Sequence, residues 1–236
     1  MIMTELLYMV DCYLKEFDAE VVGMEENKVE LNQTAFYPAG GGEPTDTGKI
    51  ISNGQEYSVI NVSKSTGRVL HELDKGGLKI GDKVHGIIDW DRRYKLMRMH
   101  TSAHLISECF NRETGALITG NQLDIEQSRI DYNLENFDRE VINGCIRKAN
   151  EIIQQDLLVK IYFLKREEAL KIPKITKLAN AFPPNVPQLR IIEIVGFDIQ
   201  ADGGNHVKTL KEIGEIEVLK MENKGKNNRR LYYILK

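Results

Sequence analysis

His100 and His104 stand four residues apart in a stretch of helical periodicity, and His206 follows much later in Ala201-Asp202-Gly203-Gly204-Asn205-His206-Val207. On a helix, positions four apart differ by only ~40° around the axis, so both imidazoles project from one face and can grip a single ion. A third imidazole on the glycine turn completes a set of nitrogen ligands, which requires the chain to fold so that the turn meets the helix. Three histidines holding one zinc ion, with an exchangeable fourth position, form the pattern of a catalytic rather than a closed structural site. That points to hydrolysis. The same spacing occurs in His-Glu-x-x-His metalloproteases, where the glutamate is the general base. Here Thr101 holds that position, so peptide cleavage is disfavoured. His71 and His85 lie in short alternating segments without partners at ligand spacing and read as structural or surface residues.

With 236 residues, 42% of them hydrophobic, the chain buries a sizeable core as one large domain or two modest ones. No apolar run is long enough to span a bilayer, and the first ten residues carry Glu5 and no basic segment, so the expected location is cytoplasmic, with no membrane partner. Three cysteines, Cys12, Cys109 and Cys145, sit at unpatterned spacings that suit reduced thiols. Cys109 follows His104 by five residues and is rotated ~140° from it, onto another helix face, which assigns it to packing. The net charge of −3 argues against a general nucleic-acid binder, but cations gather locally. Lys220, Lys224, Lys226, Arg229, Arg230 and Lys236 stand against Glu222 alone, and Arg92, Arg93, Lys95 and Arg98 precede His100. Both clusters are candidates to cradle phosphates.

Short alternating segments punctuated by glycine run from residue 5 to about 88: Val21-Val22, Val29 to Leu31, Lys49 to Ile51, Tyr57 to Ile60 and Val84 to Ile88. They predict a small β-barrel. Between them, Thr34 to Gly48 is too rich in glycine and proline for regular structure, and Gly40-Gly41-Gly42 lets the main chain approach a ligand closely. No Gly-Lys-Ser/Thr follows, so this is not a phosphate loop. Periodicity predicts a helix from Asp91 to Thr114, stopped by Gly115, with Leu96, Met99, Ala103, Ile106 and Phe110 buried. A second, structural helix is expected from Phe137 to Gln155, with Val141, Cys145, Ala149 and Ile152 inward. Strands are expected at Val159–Leu164, Leu189–Ile194, Ile213–Met221 and Leu231–Leu235, and Ala181 to Pro187 reads as a surface loop. The fold class is α+β: a barrel-like domain with the glycine-rich loop at 1–88, then an α+β domain at 89–236 with a metal-binding helix and antiparallel sheet.

Arg98-Met99-His100-Thr101-Ser102-Ala103-His104-Leu105, Gly203-Gly204-Asn205-His206-Val207 and Phe36-Tyr37-Pro38-Ala39-Gly40-Gly41-Gly42-Glu43-Pro44-Thr45-Asp46-Thr47-Gly48 together resemble the editing domain of alanyl-tRNA synthetase. The chain is most similar to the free-standing AlaX trans-editing proteins of the medium-length class. Thr119-Gly120-Asn121-Gln122, Ser128 to Tyr132, and Glu222 to Gly225 with Asn228-Arg229-Arg230 extend the resemblance over nearly the whole chain. One position departs from it. Where the family commonly reads Cys-Gly-Gly-Thr-His, this chain has Asp202-Gly203-Gly204-Asn205-His206. Asp202 either binds zinc through oxygen, giving a harder site, or orients His206 or a water beside a three-histidine site.

The resemblance implies that the substrate is tRNA for alanine mischarged with serine or glycine, and that the reaction is zinc-dependent hydrolysis of the aminoacyl ester. A synthetase pocket cannot cheaply reject an isostere that merely adds a hydroxyl, so discrimination passes to a second site. On this reading His100, His104 and His206 hold zinc, with Asp202 beside them. Gly40, Gly41, Gly42, Thr101 and Asn205 are candidate substrate contacts, and Lys224, Lys226, Arg229 and Arg230 are candidate tRNA contacts. No part of the chain suggests ATP binding. A non-catalytic tRNA-binding module with a structural metal, and a zinc hydrolase of small esters or amides, are the other classes open to it.

Overall fold

A computed structural model describes residues 3–65, 67–135, 138–179 and 185–236. The chain divides into two compact units, Met1–Lys95 and Leu96–Lys236. Among the described residues no helix is long and apolar enough to cross a membrane.

The first unit contains β1 (Glu5–Leu6), β2 (Glu16–Glu25), β3 (Lys28–Leu31), β4 (Gln33–Thr34), β5 (Gly48–Ser52), β6 (Gln55–Ser65), β7 (Arg68–Leu73) and β8 (Lys83–Ile88). Six of them close into an antiparallel barrel in the order β2-β3-β7-β6-β5-β8, while β1 and β4 form a short parallel pair. The predicted barrel segments all fall in these strands. Period-two alternation turns Phe17, Ala19, Val21, Val29, Leu31, Ile50, Tyr57, Val59, Val69, Leu73, Val84 and Ile88 inward. Phe17 faces Gly86 across β2 and β8. A Cβ on Gly86 would lie 2.4 Å from the Phe17 ring, so the aromatic fills the space that glycine leaves.

His71 on β7 is fully buried in this unit. Its Nδ1 lies 3.1 Å from the Val29 carbonyl and therefore donates, while Nε2 accepts from the Thr34 hydroxyl at 2.8 Å. Burial pushes its pKa from 6.5 down to about 4. The unfolded chain thus takes up this proton before the folded chain does. The contribution of His71 is intact above about pH 6.5 and is lost as the pH falls through that range to about 4, by about 3 kcal/mol in all. Urea unfolding at pH 7 and pH 4.5 is expected to show a loss in the parent protein about 2–3 kcal/mol larger than in His71→Gln; equal losses would refute it.

The second unit is built on α1 (Trp90–Thr114), whose first residues belong to the first unit. It ends where Gly115 adopts φ 74° and its amide returns to the Asn111 carbonyl at 2.9 Å. The predicted stripe of Leu96, Met99, Ala103, Ile106 and Phe110 is buried. Two antiparallel sheets follow: β9 (Ile118–Gln122), β10 (Ser128–Tyr132), β14 (Ile216–Asn223) and β15 (Arg229–Leu235) in the order β14-β15-β10-β9, and β11 (Val159–Lys165), β12 (Gln188–Ile194) and β13 (Asp198–Ala201) in chain order. The larger sheet packs on α1, with Phe110 stacked on Tyr132 at 4.5 Å and the Tyr233 hydroxyl donating to the Met99 carbonyl at 3.1 Å.

The helix expected from Phe137 is α2 (Arg139–Ile153), with Phe137 itself outside the described residues. Its start is set by Asp138, whose carboxylate accepts from the Glu140 and Val141 amides. Ile142 rather than Val141 joins the buried face. The expected strand at Ile213 starts later, at Ile216, because Thr209 and Glu212 form a capping box that winds Leu210–Ile213 into a 3-10 turn. Of the expected loop at 181–187, residues 181–184 lie outside the described residues. A short α3 (Arg166–Ala169) completes the unit.

Candidate metal centre

Two faces of regular structure meet at this site. His100, His104 and Glu108 recur every four residues along α1, and Asp198, Gln200 and Asp202 alternate along β13 and its continuation. The opposite side of β13, Ile199 and Ala201, packs on the small apolar cluster of Ala169, Ile175, Leu189 and Ile191, so the polar side chains turn towards the helix. After Asp202 the chain turns through Gly203 and Gly204 and delivers His206 to the same spot. Arg190 on β12 fixes this turn by donating to the carbonyls of Asp202 and Gly204 at 3.0 and 2.8 Å. The Asp202 carboxylate also accepts from the Gly204 amide at 2.6 Å.

His100, His104, Asp202 and His206 each offer one donor atom, all within 4.8 Å of one another. The Asp202 carboxylate faces the Nε2 atoms of all three imidazoles, at 3.6 Å from His100, 3.9 Å from His104 and 3.2 Å from His206. Tetrahedral zinc with nitrogen and oxygen ligands at ~2.0–2.1 Å requires donors ~3.3–3.4 Å apart. The observed spacings bracket that edge, so these residues fit a small divalent ion.

Protonation also suits metal binding. Thr101 is fully buried, and its hydroxyl donates to the Met97 carbonyl at 2.9 Å. With its one proton spent, Thr101 Oγ1 accepts from the Val207 amide at 3.2 Å and from His206 Nδ1 at 3.1 Å. The His206 proton therefore sits on Nδ1, and the Nε2 lone pair faces the cluster. Burial pushes His206 well below the ordinary histidine range and His104 down to about 4, so both are neutral near pH 7. Burial opposes ionisation of Asp202, but the surrounding imidazoles outweigh it and hold its carboxyl well below the usual range.

The alanyl-tRNA editing protein AlaX-M of Saccharolobus solfataricus is 52% identical to this chain over 99% of the chain and all of the relative. The chain belongs to the AlaX-M family. A second AlaX-M protein, from Methanosarcina barkeri, is 48% identical over 99% of both chains. The alanine–tRNA ligase of Pyrococcus furiosus is 37% identical over 93% of this chain, which covers 24% of that enzyme. Residues 4–92 match the family model described as tRNA synthetases class II (A), and residues 189–232 match the threonyl and alanyl tRNA synthetase second additional domain.

Other residues singled out in this AlaX-M chain are placed differently from the histidines. Gly40, Gly41 and Gly42 form an exposed turn in the first unit, with Gly41 and Gly42 at φ 60° and 87° and the ends joined by Gly40–Glu43 hydrogen bonds of 2.9 and 3.1 Å. Thr101, a candidate substrate contact, is fully buried with its hydroxyl bonded to the Met97 carbonyl, the Val207 amide and His206 Nδ1, and Asn205 is likewise fully buried. Lys224 and Lys226 are exposed at the tip of the β14–β15 hairpin. Arg230 is partly buried and pairs with Asp131 through bonds of 2.7 and 2.8 Å. Arg229 turns inward, donating to the carbonyls of Gly225, Asn228, Lys226 and Glu135, which corrects its expected role as a tRNA contact. Of the basic run before His100, Arg93 is fully buried and Arg98 donates to the carbonyls of Ile213 and Lys236, which takes these two out of a phosphate-facing patch, while Lys95 is exposed. Cys109 is buried in packing, and burial raises its thiol to about 12. Arg190, Asp198, Gln200 and Lys177 were not expected at this site; the alternation Asp198-x-Gln200-x-Asp202 is a signal of a shared strand face, though it does not show what covers that face.

Proposed function

We propose that the chain is a trans-editing hydrolase that deacylates tRNA for alanine mischarged with serine, with the glycyl ester as a second substrate, in a site holding one zinc ion. The observation that carries this reading is the cluster of four donor atoms within 4.8 Å, in a chain matched end to end by alanyl-tRNA editing proteins. His100, His104 and His206 hold the ion, and Asp202 is its fourth ligand. The position of Asp202 supports ligation, because a carboxylate that only orients a ligand histidine meets the ring nitrogen facing away from the metal. Asp202 faces Nε2 of all three. With four protein groups holding it, zinc would admit the ester, water or substrate amino group only by expanding to a fifth position or displacing Asp202, and it would there supply a Lewis acid and an anchor. Thr101 holds the His206 ring and its proton, and Arg190 holds the turn that presents Asp202 and His206.

Selectivity follows from the cost of unmade hydrogen bonds. A site whose polar groups pair with the serine hydroxyl leaves them unpaired when alanine enters. Thr101 is not that group, since its hydroxyl is fully committed. Lys224, Lys226 and Arg230 supply positive charge for the tRNA backbone.

Incubating the zinc-loaded protein with seryl-tRNA and alanyl-tRNA for alanine tests this reading. Seryl ester is expected to be cleared at least ~10²-fold faster than alanyl ester. If tRNA binds and neither ester is cleaved, the chain is a binding module. Turnover of small esters with none of seryl-tRNA would make it a hydrolase of another class.

A further inference from the structure

His104 stands between two carboxylates. Asp202 faces its Nε2, and on the other side of the ring Asp198 Oδ2 lies 3.8 Å from Nδ1. This Nδ1 is buried and, among the described residues, makes no hydrogen bond, a costly state for a ring nitrogen removed from water. Asp198 is itself only 5% exposed and is gripped from behind. Lys177 bonds its Oδ1, and the Gln200 amide donates to its Oδ2 at 2.6 Å. Lys177, 3% exposed, also pairs with Glu108 at 2.9 Å, and Glu108 with Arg112 at 2.6 Å. Burying this much charge is unfavourable unless each partner is held, and replacing such a network by apolar residues is often neutral for stability. Folding alone therefore does not account for a clamped carboxylate aimed at an otherwise unpartnered nitrogen.

We infer that Asp198 is a positioning residue for His104: it accepts a hydrogen bond from Nδ1–H, fixes the ring's tautomer and rotation, and leaves the Nε2 lone pair directed at the ion. This rests on the metal reading above. The gap of 3.8 Å exceeds a hydrogen bond, and a shift of less than about one ångström of the Asp198 carboxylate towards the ring closes it. His206 and His104 are thus held by different means, His206 by a neutral hydroxyl whose proton is already spent, His104 by a carboxylate. Lys177 and Gln200 hold that carboxylate in place beside the ring. Asp198, Gln200 and Asp202 share one face of one strand, so the group that orients the ligand and the proposed fourth ligand are set by the same backbone.

Asp198→Asn tests this, because a carboxamide of the same shape offers an N–H where the carboxylate offered only oxygen. Nitrogen-15 NMR of the metal-free parent protein is expected to show His104 with its proton on Nδ1, and Asp198→Asn to move it to Nε2. Zinc affinity, read by competition with a chelator, is expected to fall about 10- to 100-fold in that variant. Glu108→Gln removes a charge from the same buried network without facing His104; it is expected to lower the melting temperature while leaving the tautomer and zinc affinity as in the parent. A His104 proton on Nε2 in the parent, or Asp198→Asn and Glu108→Gln acting alike on zinc affinity, would overturn the inference. The tautomer measurement does not depend on metal, so failure of the parent protein to bind zinc would count against the metal reading and leave this one to be decided by the NMR result.

Discussion

On the proposed zinc reading, His104→Ala is expected to lower the rate of seryl-tRNA deacylation by on the order of 10³-fold or more, because Lewis acidity at the site would lower the barrier by several kcal/mol. The loss should appear in kcat/KM and should not be recovered by excess zinc at concentrations that saturate the parent protein. Of the three histidines, His104 is the sharpest choice, since its removal strips the ion of a ligand while leaving the Thr101–His206 pair and the Arg190-braced turn in place. Asp202→Ala is the companion experiment: zinc affinity is expected to fall with it, and an unchanged affinity would rule out ligation by that carboxylate. A His104→Ala protein that folds, has lost its zinc and still deacylates at the parental rate would remove the metal centre from the mechanism altogether.

Arg93→Ala is expected to destabilise the first unit by about 3–5 kcal/mol, a large share of the ~5–15 kcal/mol available to a typical domain. The Arg93 side chain is fully buried, and its guanidinium pairs with Asp46 while donating to the carbonyls of Cys12 at 3.1 Å and Ala35 at 2.6 Å. Truncation leaves Asp46 charged and buried, with the Tyr37 amide at 2.6 Å as a remaining donor. Two carbonyls are stranded as well. Arg93→Met combined with Asp46→Leu is expected to recover part of the loss, since removing both charges together abolishes the uncompensated one. Urea denaturation monitored by Trp90 fluorescence reads both variants, and a loss below about 1 kcal/mol for Arg93→Ala would show that the pair is worth no more than a surface ion pair.

Arg93 also shows what a sequence conceals. Four cations within seven positions look like one phosphate-facing patch, yet helical geometry sends them around the axis to different surroundings. One of them is sealed in the interior because Asp46, distant in sequence, is there to meet it. Arg229 went astray for the same reason. Thr101 read as a substrate contact because a hydroxyl beside a ligand histidine has two plausible directions, and only the position of the Met97 carbonyl decides between them. The histidine helix was legible because apolar periodicity, the four-residue histidine spacing and Gly115 all agree over a long stretch. The barrel was legible through alternation, although β7 escaped notice because Arg68 to Leu73 runs mostly inward and lacks a clear period of two. Asp198 and Gln200 were hardest to find, since alternating polar residues on a strand ordinarily indicate a face open to water, and nothing local reveals that a helix covers it.

The inward turn of Arg229 has a consequence for the hairpin tip. Its guanidinium gathers the carbonyls of Gly225, Lys226 and Asn228, and its bond to the Asn223 side chain at 2.9 Å closes the loop from the other strand. A buried cation thus serves as a template around which the backbone of residues 223–228 is wound. Lys224 and Lys226 are carried on a main chain whose freedom was already surrendered when the protein folded, so a polyanion meeting them has only their side chains left to order. The backbone of the tip is thus braced from within by Arg229, so the Cα positions from which its two lysines project are set by the fold.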